Sequence, residues 1–138
     1  MKGTFVVIPA YNEAKTIRAV VNAVLSCDVD RVIVVDDGSR DGTASELSLA
    51  DLEVLRHPVN MGKGFALASG LERALRLGAE RVVTLDADGQ HSPSDIPRLE
   101  YAATQNANAV VIAARLRGRE RAPALRRFAN DVADFWIS

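Results

Sequence analysis

The sequence is poor in cysteine, in aromatic residues and in long apolar segments. Cys27 is the only cysteine among 138 residues, so no internal disulfide can form, and we expect its thiol to pack as a small apolar group. No apolar stretch approaches the ~20 residues that a membrane-spanning helix needs. The run before Pro9 is too short for the core of a signal peptide. We therefore expect a cytoplasmic protein that does not span a bilayer, with peripheral contact at the membrane face left open.

An excess of charge of either sign is also absent. Seventeen Lys and Arg residues against eighteen Asp and Glu residues leave a formal net charge of -1, which supplies no overall attraction for nucleic acid. The hydrophobic share of 48% and the charged share of 25% are ordinary for a globular domain. We expect one domain over residues 1–138, no nucleic-acid partner, and only a local basic site.

Short β-branched runs alternate with helical patterns along the chain. Strands are predicted at Phe5–Ile8, Arg31–Val35, Glu53–Leu55, Arg81–Leu85 and Ala109–Ala113. One helical stripe, with Asn12 as its expected cap, consists of Ile17, Val20, Val21, Val24 and Leu25. A second stripe consists of Phe65, Ala68, Leu71 and Leu75. Apolar strands joined by helices indicate an α/β fold whose mostly parallel sheet is covered by helices on both faces.

Polar and glycine-rich segments follow the predicted strands at Pro9–Glu13, Asp36–Gly42 and Asp86–His91. In open α/β sheets, ligands bind beyond the carboxyl ends of the strands. We therefore expect these segments to converge on one crevice.

Asp86 and Asp88 directly follow the strand predicted at Arg81–Leu85. Their spacing places both carboxylates on one side of an extended chain. Neighbouring carboxylates repel each other unless a cation neutralises them, and their oxygens suit Mg²⁺ or Mn²⁺, which often complete their shells with substrate phosphates. The residues predict a diphosphate-metal site here, and a solvated acidic turn is the alternative.

Asp36 and Asp37 close the second predicted strand. Acids at strand ends accept hydrogen bonds from nucleotides in dinucleotide-binding folds, so both are candidates for a base N–H or a ribose hydroxyl. Gly38, Ser39 and Thr43 follow, and we expect them to shape the turn.

The segment 60–64, Asn-Met-Gly-Lys-Gly, precedes a helical pattern, which favours phosphate binding at a helix N-terminus. It is not a P-loop, because Gly64 follows Lys63 where a P-loop has Ser or Thr. It is not a Rossmann fingerprint either, because Leu67 stands at the place of the third glycine. Lys63 is a candidate diphosphate contact, and a solvated turn lysine is the alternative.

Histidines and arginines complete the candidates. We interpret His57 as a loop histidine without a role, whereas His91 either orients a metal ligand, donates to a phosphate or packs in its loop. A basic concentration, suited to an anionic substrate or else a solvated loop, consists of Arg115, Arg117, Arg119, Arg121, Arg126 and Arg127.

Four ordered segments, VVIPAYNE, VIVVDDGSRDGT, NMGKG and TLDADGQHSPSDIP, resemble the motifs of family-2 glycosyltransferases of the GT-A fold. The match covers residues 4 to about 115. The Asp-x-Asp-x-Gln-His version is similar to that of the branch that transfers a hexose from a nucleotide sugar to a polyprenyl phosphate. Members of that branch continue beyond the fifth strand, so we interpret residues 1–138 as the N-terminal portion of the usual catalytic domain.

The resemblance implies a role for each matching residue. The nucleotide pocket would be lined by Pro9, Tyr11, Glu13, Asp36, Asp37, Lys63 and Asp86. The metal, Mg²⁺ or Mn²⁺, would be held by Asp86, Asp88 and Gln90. Asp88 and Arg115 would be the catalytic residues, with Arg115 meeting the acceptor phosphate or the donor diphosphate.

The reaction implied is an in-line, inverting transfer from a GDP- or UDP-hexose, with the metal stabilising the departing nucleoside diphosphate. A phosphate acceptor has a second pKa near 6, so it is already an anionic nucleophile at neutral pH and needs no strong base. The alternatives are a non-catalytic nucleotide-sugar-binding module, a fragment without the acceptor half, and a sugar-phosphate nucleotidyltransferase.

The end of the chain carries an amphipathic pattern from Leu125 to Trp136. We expect this segment to mediate self-association or peripheral contact with anionic lipid. Packing against the domain's own core is the alternative.

Overall fold

The computed structural model describes residues 3–48 and 52–105. Its elements are β1 (Thr4–Ala10), α1 (Ile17–Leu25), β2 (Arg31–Asp36), α2 (Thr43–Glu46), β3 (Leu52–Arg56), α3 (Lys63–Arg76), β4 (Arg81–Thr84), a 3₁₀ turn (Pro93–Asp95) and α4 (Ile96–Gln105). The chain forms two compact units, Met1–Ile96 and Pro97–Ser138. The first holds every strand described, and α4 provides what is described of the second. The predicted strand Ala109–Ala113 lies outside the described residues.

The strands form one sheet in the order β3-β2-β1-β4, and each of its pairings is parallel. Strand β1 lies inside the sheet, and all seven of its residues are buried. Such a strand needs apolar side chains on both faces, which the run Phe5–Ile8 supplies. The predicted parallel α/β arrangement is confirmed.

Successive residues of β1 point to opposite faces and contribute to separate cores. Val6 and Ile8 belong to the core that includes α1, whereas Phe5 and Val7 belong to the core that includes α3 residues such as Ala66. Helices therefore cover both faces of the sheet, as predicted.

The stripe predicted for α3 was wrong. Phe65 and Leu75 are exposed, and the buried residues of this helix are Ala66, Gly70 and Ala74. Small residues bring the helix against the sheet: a Cβ at Gly70 would lie 2.4 Å from Val7 Cγ1 and 3.1 Å from Val35 Cγ2. The helix therefore packs against the sheet through close approach of its backbone rather than through large side chains.

Asn12 does not cap α1, contrary to expectation. The helix begins at Ile17 after Thr16, without a side-chain cap. Asn12 has a left-handed backbone (φ 52°), and its side-chain oxygen accepts a hydrogen bond from the Arg40 amide at 2.9 Å. Its polar side chain therefore joins two loops across the sheet edge. The stripe predicted for α1 is confirmed for Ile17, Val20, Val21 and Val24, which are buried, and is wrong for Leu25, which is exposed.

Cys27 is half-buried and packs against the α1 core, as expected. Within the part of the chain that the structure describes, no helix has both the length and the apolar character to cross a membrane.

Candidate functional site

A cleft of about 410 Å³ opens at the carboxyl ends of the strands. It is lined by Pro9, Ala10, Tyr11, Glu13, Asp37, Asn60, Gly62, Lys63, Ala66, Asp86, Ala87 and Asp88. The sheet order places β2 and β3 on one side of β1 and β4 on the other, so the strand order reverses beside this cleft. Open α/β sheets bind their ligands at such a point. The predicted convergence of the three loops is confirmed.

The loop after β1 provides one wall of the cleft. Pro9, Tyr11 and Glu13 line it, and the Tyr11 side chain is exposed at its edge. The Glu13 amide donates to Thr43 Oγ1 at 2.9 Å, which ties this loop to the start of α2. Thr43 thus shapes the site, as predicted, rather than lining it.

Asp36 and Asp37 are both buried at the end of β2. Asp36 accepts a hydrogen bond from the Ser39 amide at 3.0 Å and pairs with Arg56 Nε at 3.3 Å. Asp36 does not line the cleft, so its contribution to the site passes through the turn that it holds. Asp37, by contrast, lines the cleft directly.

The Asp37 carboxylate organises the β3–α3 loop, residues 57–62. Its Oδ1 accepts hydrogen bonds from His57 Nδ1 at 2.7 Å and the Met61 amide at 2.9 Å, and its Oδ2 accepts one from the Gly62 amide at 2.8 Å. Burial raises the pKa of this carboxyl, but the hydrogen bonds from His57, Met61 and Gly62 outweigh burial, so the pKa lies below its ordinary value. Asp37 is therefore ionised at neutral pH.

Lys63 is the first residue of α3 and follows Gly62, whose φ is 96°. Its ammonium lies 2.6 Å from Asp86 Oδ1, and its side chain is 62% exposed. The lysine thus reaches across the cleft from α3 to the loop after β4. The structure thus brings Lys63, the candidate diphosphate contact, beside Asp86 of the predicted acid pair.

Asp86, Ala87 and Asp88 line the cleft after β4. The Ala87 carbonyl accepts a hydrogen bond from Thr16 Oγ1 at 2.7 Å, which ties this loop to the start of α1. Asp88 Oδ1 accepts a hydrogen bond from the Gln90 amide at 2.9 Å. The Gln90 side chain is exposed and does not line the cleft.

The Asp86 and Asp88 carboxylates fit Mg²⁺ or Mn²⁺ in donor type, since both are oxygen ligands at the edge of an open cleft. Among residues 3–48 and 52–105, no cluster of three or more His, Cys, Asp or Glu side chains is arranged to hold a metal. A cation here would therefore take its other ligands from water and from substrate phosphates, as Mg²⁺ commonly does. His91 Nδ1 lies 3.7 Å from Asp86 Oδ2, beside the pair.

His57 is a residue that the sequence interpretation missed. Its ring joins Asp37 to Ser69 Oγ, 3.0 Å from Nε2, and packs edge-on against Phe65. The parallel register pairs Asp36 with Arg56, so the residue after each strand also faces its neighbour. His57 directly follows β3 as Asp37 directly follows β2. This position after a strand is the sequence signal that points to His57.

Comparison with known proteins decides the family. Residues 5–129 match the family described as glycosyl transferase family 2. The chain belongs to this family. Its members named among the relatives are glycosyltransferases, and the expected resemblance is confirmed.

Two similar curated relatives illustrate the range of this glycosyltransferase family. A UDP-N-acetylglucosamine–dolichyl-phosphate N-acetylglucosaminyltransferase of Methanococcus voltae is 35% identical over 130 residues, covering 82% of this chain and 52% of the relative. A polyprenol monophosphomannose synthase of Mycolicibacterium smegmatis is 38% identical over 115 residues, covering 78% and 43%. The chain thus spans about half the length of the curated relatives it matches.

The solved structures support the GT-A fold. Glucosyl-3-phosphoglycerate synthase from Mycobacterium tuberculosis, in complex with Mn²⁺, uridine diphosphate and glucosyl-3-phosphoglycerate, matches with a TM-score of 0.57 and 30% identity over 76% of this chain and 40% of that one. The predicted GT-A architecture is confirmed. Arg115 and the other arginines beyond the predicted fifth strand lie outside the described residues.

Proposed function

We propose that this chain forms the nucleotide-sugar-binding part of a metal-dependent, inverting hexosyltransferase that uses a GDP- or UDP-hexose. The observation that carries the proposal is the cleft at the reversal of strand order, where Asp37, Lys63, Asp86 and Asp88 meet. An ionised acid suits a nucleoside N–H, a lysine suits a diphosphate, and an acid pair suits the cation that accompanies the diphosphate.

In this proposal, different residues of the cleft would contact different parts of the nucleotide sugar. Pro9, Tyr11, Glu13 and Asp37 line the cleft and would contact the nucleoside. Lys63, whose ammonium lies 2.6 Å from Asp86 Oδ1, would contact the diphosphate. Asp86 and Asp88, with Gln90 nearby, would hold Mg²⁺ or Mn²⁺, which supplies Lewis-acid stabilisation of the departing diphosphate.

The acceptor we propose is a polyprenyl phosphate. The names of the two curated relatives both contain a polyprenol-type lipid, dolichyl phosphate or polyprenol phosphomannose. A phosphate monoester reaches the site as an anion at neutral pH, so the transfer needs no carboxylate base to remove a proton. A lipid acceptor also agrees with peripheral membrane contact on the cytoplasmic side, which we include in the proposal. Leu125 to Trp136, the segment expected to make that contact, lies outside the described residues.

A thermal-shift and transfer experiment tests the proposal. UDP or GDP with Mn²⁺ should raise the melting temperature of the chain, whereas the same nucleotide in EDTA should not, because the cation joins the diphosphate to Asp86 and Asp88. Equal shifts with and without EDTA would contradict the metal assignment, and no shift with either nucleotide would contradict the nucleotide site. Transfer of labelled hexose to a polyprenyl phosphate would support the enzyme, whereas binding without transfer favours a nucleotide-sugar-binding module.

A further inference from the structure

A hydrogen-bonded chain of side chains runs from the end of β2 into α3. Asp37 Oδ1 lies 2.7 Å from His57 Nδ1, and His57 Nε2 lies 3.0 Å from Ser69 Oγ. The side chains are shielded from water, with 3% of Asp37 and 13% of His57 exposed. The Phe65 ring packs against the imidazole with the centroids 5.3 Å apart. The imidazole thus has a partner at each nitrogen and packs against the Phe65 ring.

The acceptor positions on Asp37 are almost filled by the protein. An ionised carboxylate has about four lone-pair positions, and three are taken by His57 Nδ1, the Met61 amide and the Gly62 amide. What remains is one position on Oδ2, which suits a single N–H donor. The direction of that position depends on how the carboxylate is rotated, and His57 and the two amides set the rotation.

His57 itself does not line the cleft, whereas Asp37 does. The histidine therefore reaches a bound ligand only through Asp37 and through the loop 57–62. That loop ends at Gly62 and is followed by Lys63, and both residues line the cleft where the diphosphate would bind. Both ends of a nucleoside diphosphate would thus meet groups whose placement depends on one imidazole.

We propose that His57, held by Ser69, is a positioning residue for nucleotide binding: it orients Asp37 toward the nucleoside and holds the β3–α3 loop beside the diphosphate. This inference rests on the proposed function. It assigns a role to the Asp37–His57–Ser69 chain, which would otherwise serve only the stability of the fold.

Substitutions at His57 separate positioning from stability. The Asn side-chain amide nitrogen replaces imidazole Nδ1, so His57→Asn keeps a donor for Asp37. The Gln amide reaches the place of Nε2, so His57→Gln keeps contact with Ser69 and loses Asp37. His57→Ala loses both. Ser69→Ala leaves the imidazole with Asp37 alone. Ser26→Ala is a control just after the end of α1, where the Ser26 hydroxyl donates to the Ala23 carbonyl.

The measurement is the dissociation constant of UDP or GDP with Mn²⁺, by calorimetry on the full chain, beside that of Mn²⁺ alone. We expect His57→Ala and His57→Gln to weaken nucleotide binding about tenfold, and His57→Asn and Ser69→Ala about threefold or less. Ser26→Ala should bind like the unmodified chain, and Mn²⁺ alone should bind all variants equally. Amide exchange at Met61 and Gly62 should quicken in His57→Ala and His57→Gln but not in His57→Asn.

Failure of this inference differs from failure of the proposed function. If the unmodified chain binds neither nucleotide, the proposed function is wrong, and the inference falls with it. If the unmodified chain binds and folded His57→Gln binds equally well, only the inference is wrong. Equal weakening of nucleotide binding in His57→Asn and His57→Gln would also overturn it. General loosening of the fold would affect both variants alike, whereas positioning of Asp37 requires the donor that only Asn keeps.

Discussion

Two pairs of acidic residues follow two strands of the same sheet, yet the protein uses them differently. The side chains of Asp36 and Asp37, after β2, are 1% and 3% exposed. Asp37 accepts hydrogen bonds from three protein donors and Asp36 from one. Asp86 and Asp88, after β4, lie at the open edge of the cleft, and the Asp86 side chain is 31% exposed. The first pair is buried and bound by the protein's own donors, whereas the second pair is partly exposed at the cleft.

The glycines beside the two pairs show the same contrast. Gly38, after Asp37, has a φ of +72°, and a Cβ there would lie 2.5 Å from the Val59 carbonyl carbon. Gly89, after Asp88, has a φ of +76°, and a Cβ there would meet nothing within 4 Å. One turn is pressed against the β3–α3 loop, and the other is open. A sequence pattern of acids followed by glycine does not distinguish these situations.

The largest effect should come from removing the buried acid. Asp37→Ala leaves His57 and the Met61 and Gly62 amides without their common acceptor, so we expect a loss of about 3–5 kcal/mol in the free energy of unfolding. Urea denaturation measures this loss. Asp88→Ala is the matched variant in the open pair and should lose less than about 1 kcal/mol, while abolishing the Mn²⁺-dependent thermal shift with nucleotide. Similar destabilisation by both variants would erase the contrast between the pairs.

Substitution of the two glycines, Gly38 and Gly89, should give the next largest difference in stability. Gly38→Ala combines a left-handed backbone with a clash against the Val59 backbone, and we expect a loss of about 3 kcal/mol. Gly89→Ala carries only the backbone strain and should lose about 1 kcal/mol. Both variants are compared by chemical denaturation under identical conditions. A loss at Gly89 as large as that at Gly38 would mean that the β4 loop is packed rather than open.

The low pKa of Asp37 gives a third, smaller effect. Because the folded pKa lies below the unfolded value of about 3.9, the ionised form stabilises the fold above that pH, and this contribution is lost as pH falls through the folded pKa. Asp37→Asn cannot titrate at this position. The gap in melting temperature between the unmodified chain and Asp37→Asn should therefore shrink as the pH falls below about 4. A gap of constant size down to pH 3 would contradict the pKa shift.

The sequence predicts the fold and the place of the site well, because both depend on patterns that repeat along the chain. Apolar strands such as Phe5–Ile8 indicate a sheet covered on both faces, and parallel strands bring their carboxyl ends to one edge. The sequence names Lys63 and Asp86, 23 positions apart, as candidates for one nucleotide site. The structure brings their side chains to within 2.6 Å of each other.

What the sequence does not predict is which polar groups the protein satisfies internally. Asp37 and Asp88 have similar neighbours in sequence, and only the tertiary position of the β3–α3 loop brings three donors to Asp37. The face of α3 was misassigned for a related reason. Large apolar residues such as Phe65 dominate a periodicity count, whereas contact with the sheet is decided by whether Gly70 lets the helix approach.

The smallest effect on stability, and the most specific effect on binding, should come from Lys63. Its ammonium lies 2.6 Å from Asp86 Oδ1, but the side chain is 62% exposed, so water screens the pair. Lys63→Met should change the free energy of unfolding by less than about 0.5 kcal/mol. The same variant should weaken binding of a nucleoside diphosphate about tenfold, because the diphosphate loses its cation on the α3 side.

Binding of the metal alone should move in the opposite direction in Lys63→Met. In the unmodified chain the ammonium occupies the Asp86 oxygen that a cation needs, and positive charges at that distance repel. Removing the ammonium should therefore tighten the binding of Mn²⁺ without nucleotide by a few-fold, whereas Lys63→Arg, which keeps the charge, should not. Calorimetric titration with MnCl₂ and then with UDP or GDP measures both constants on one sample. Weaker binding of both Mn²⁺ and nucleotide in Lys63→Met would contradict this prediction. It would mean that the contact between Lys63 and Asp86 holds the metal site in shape, so that the open pair depends on the protein's own contacts as the buried pair does.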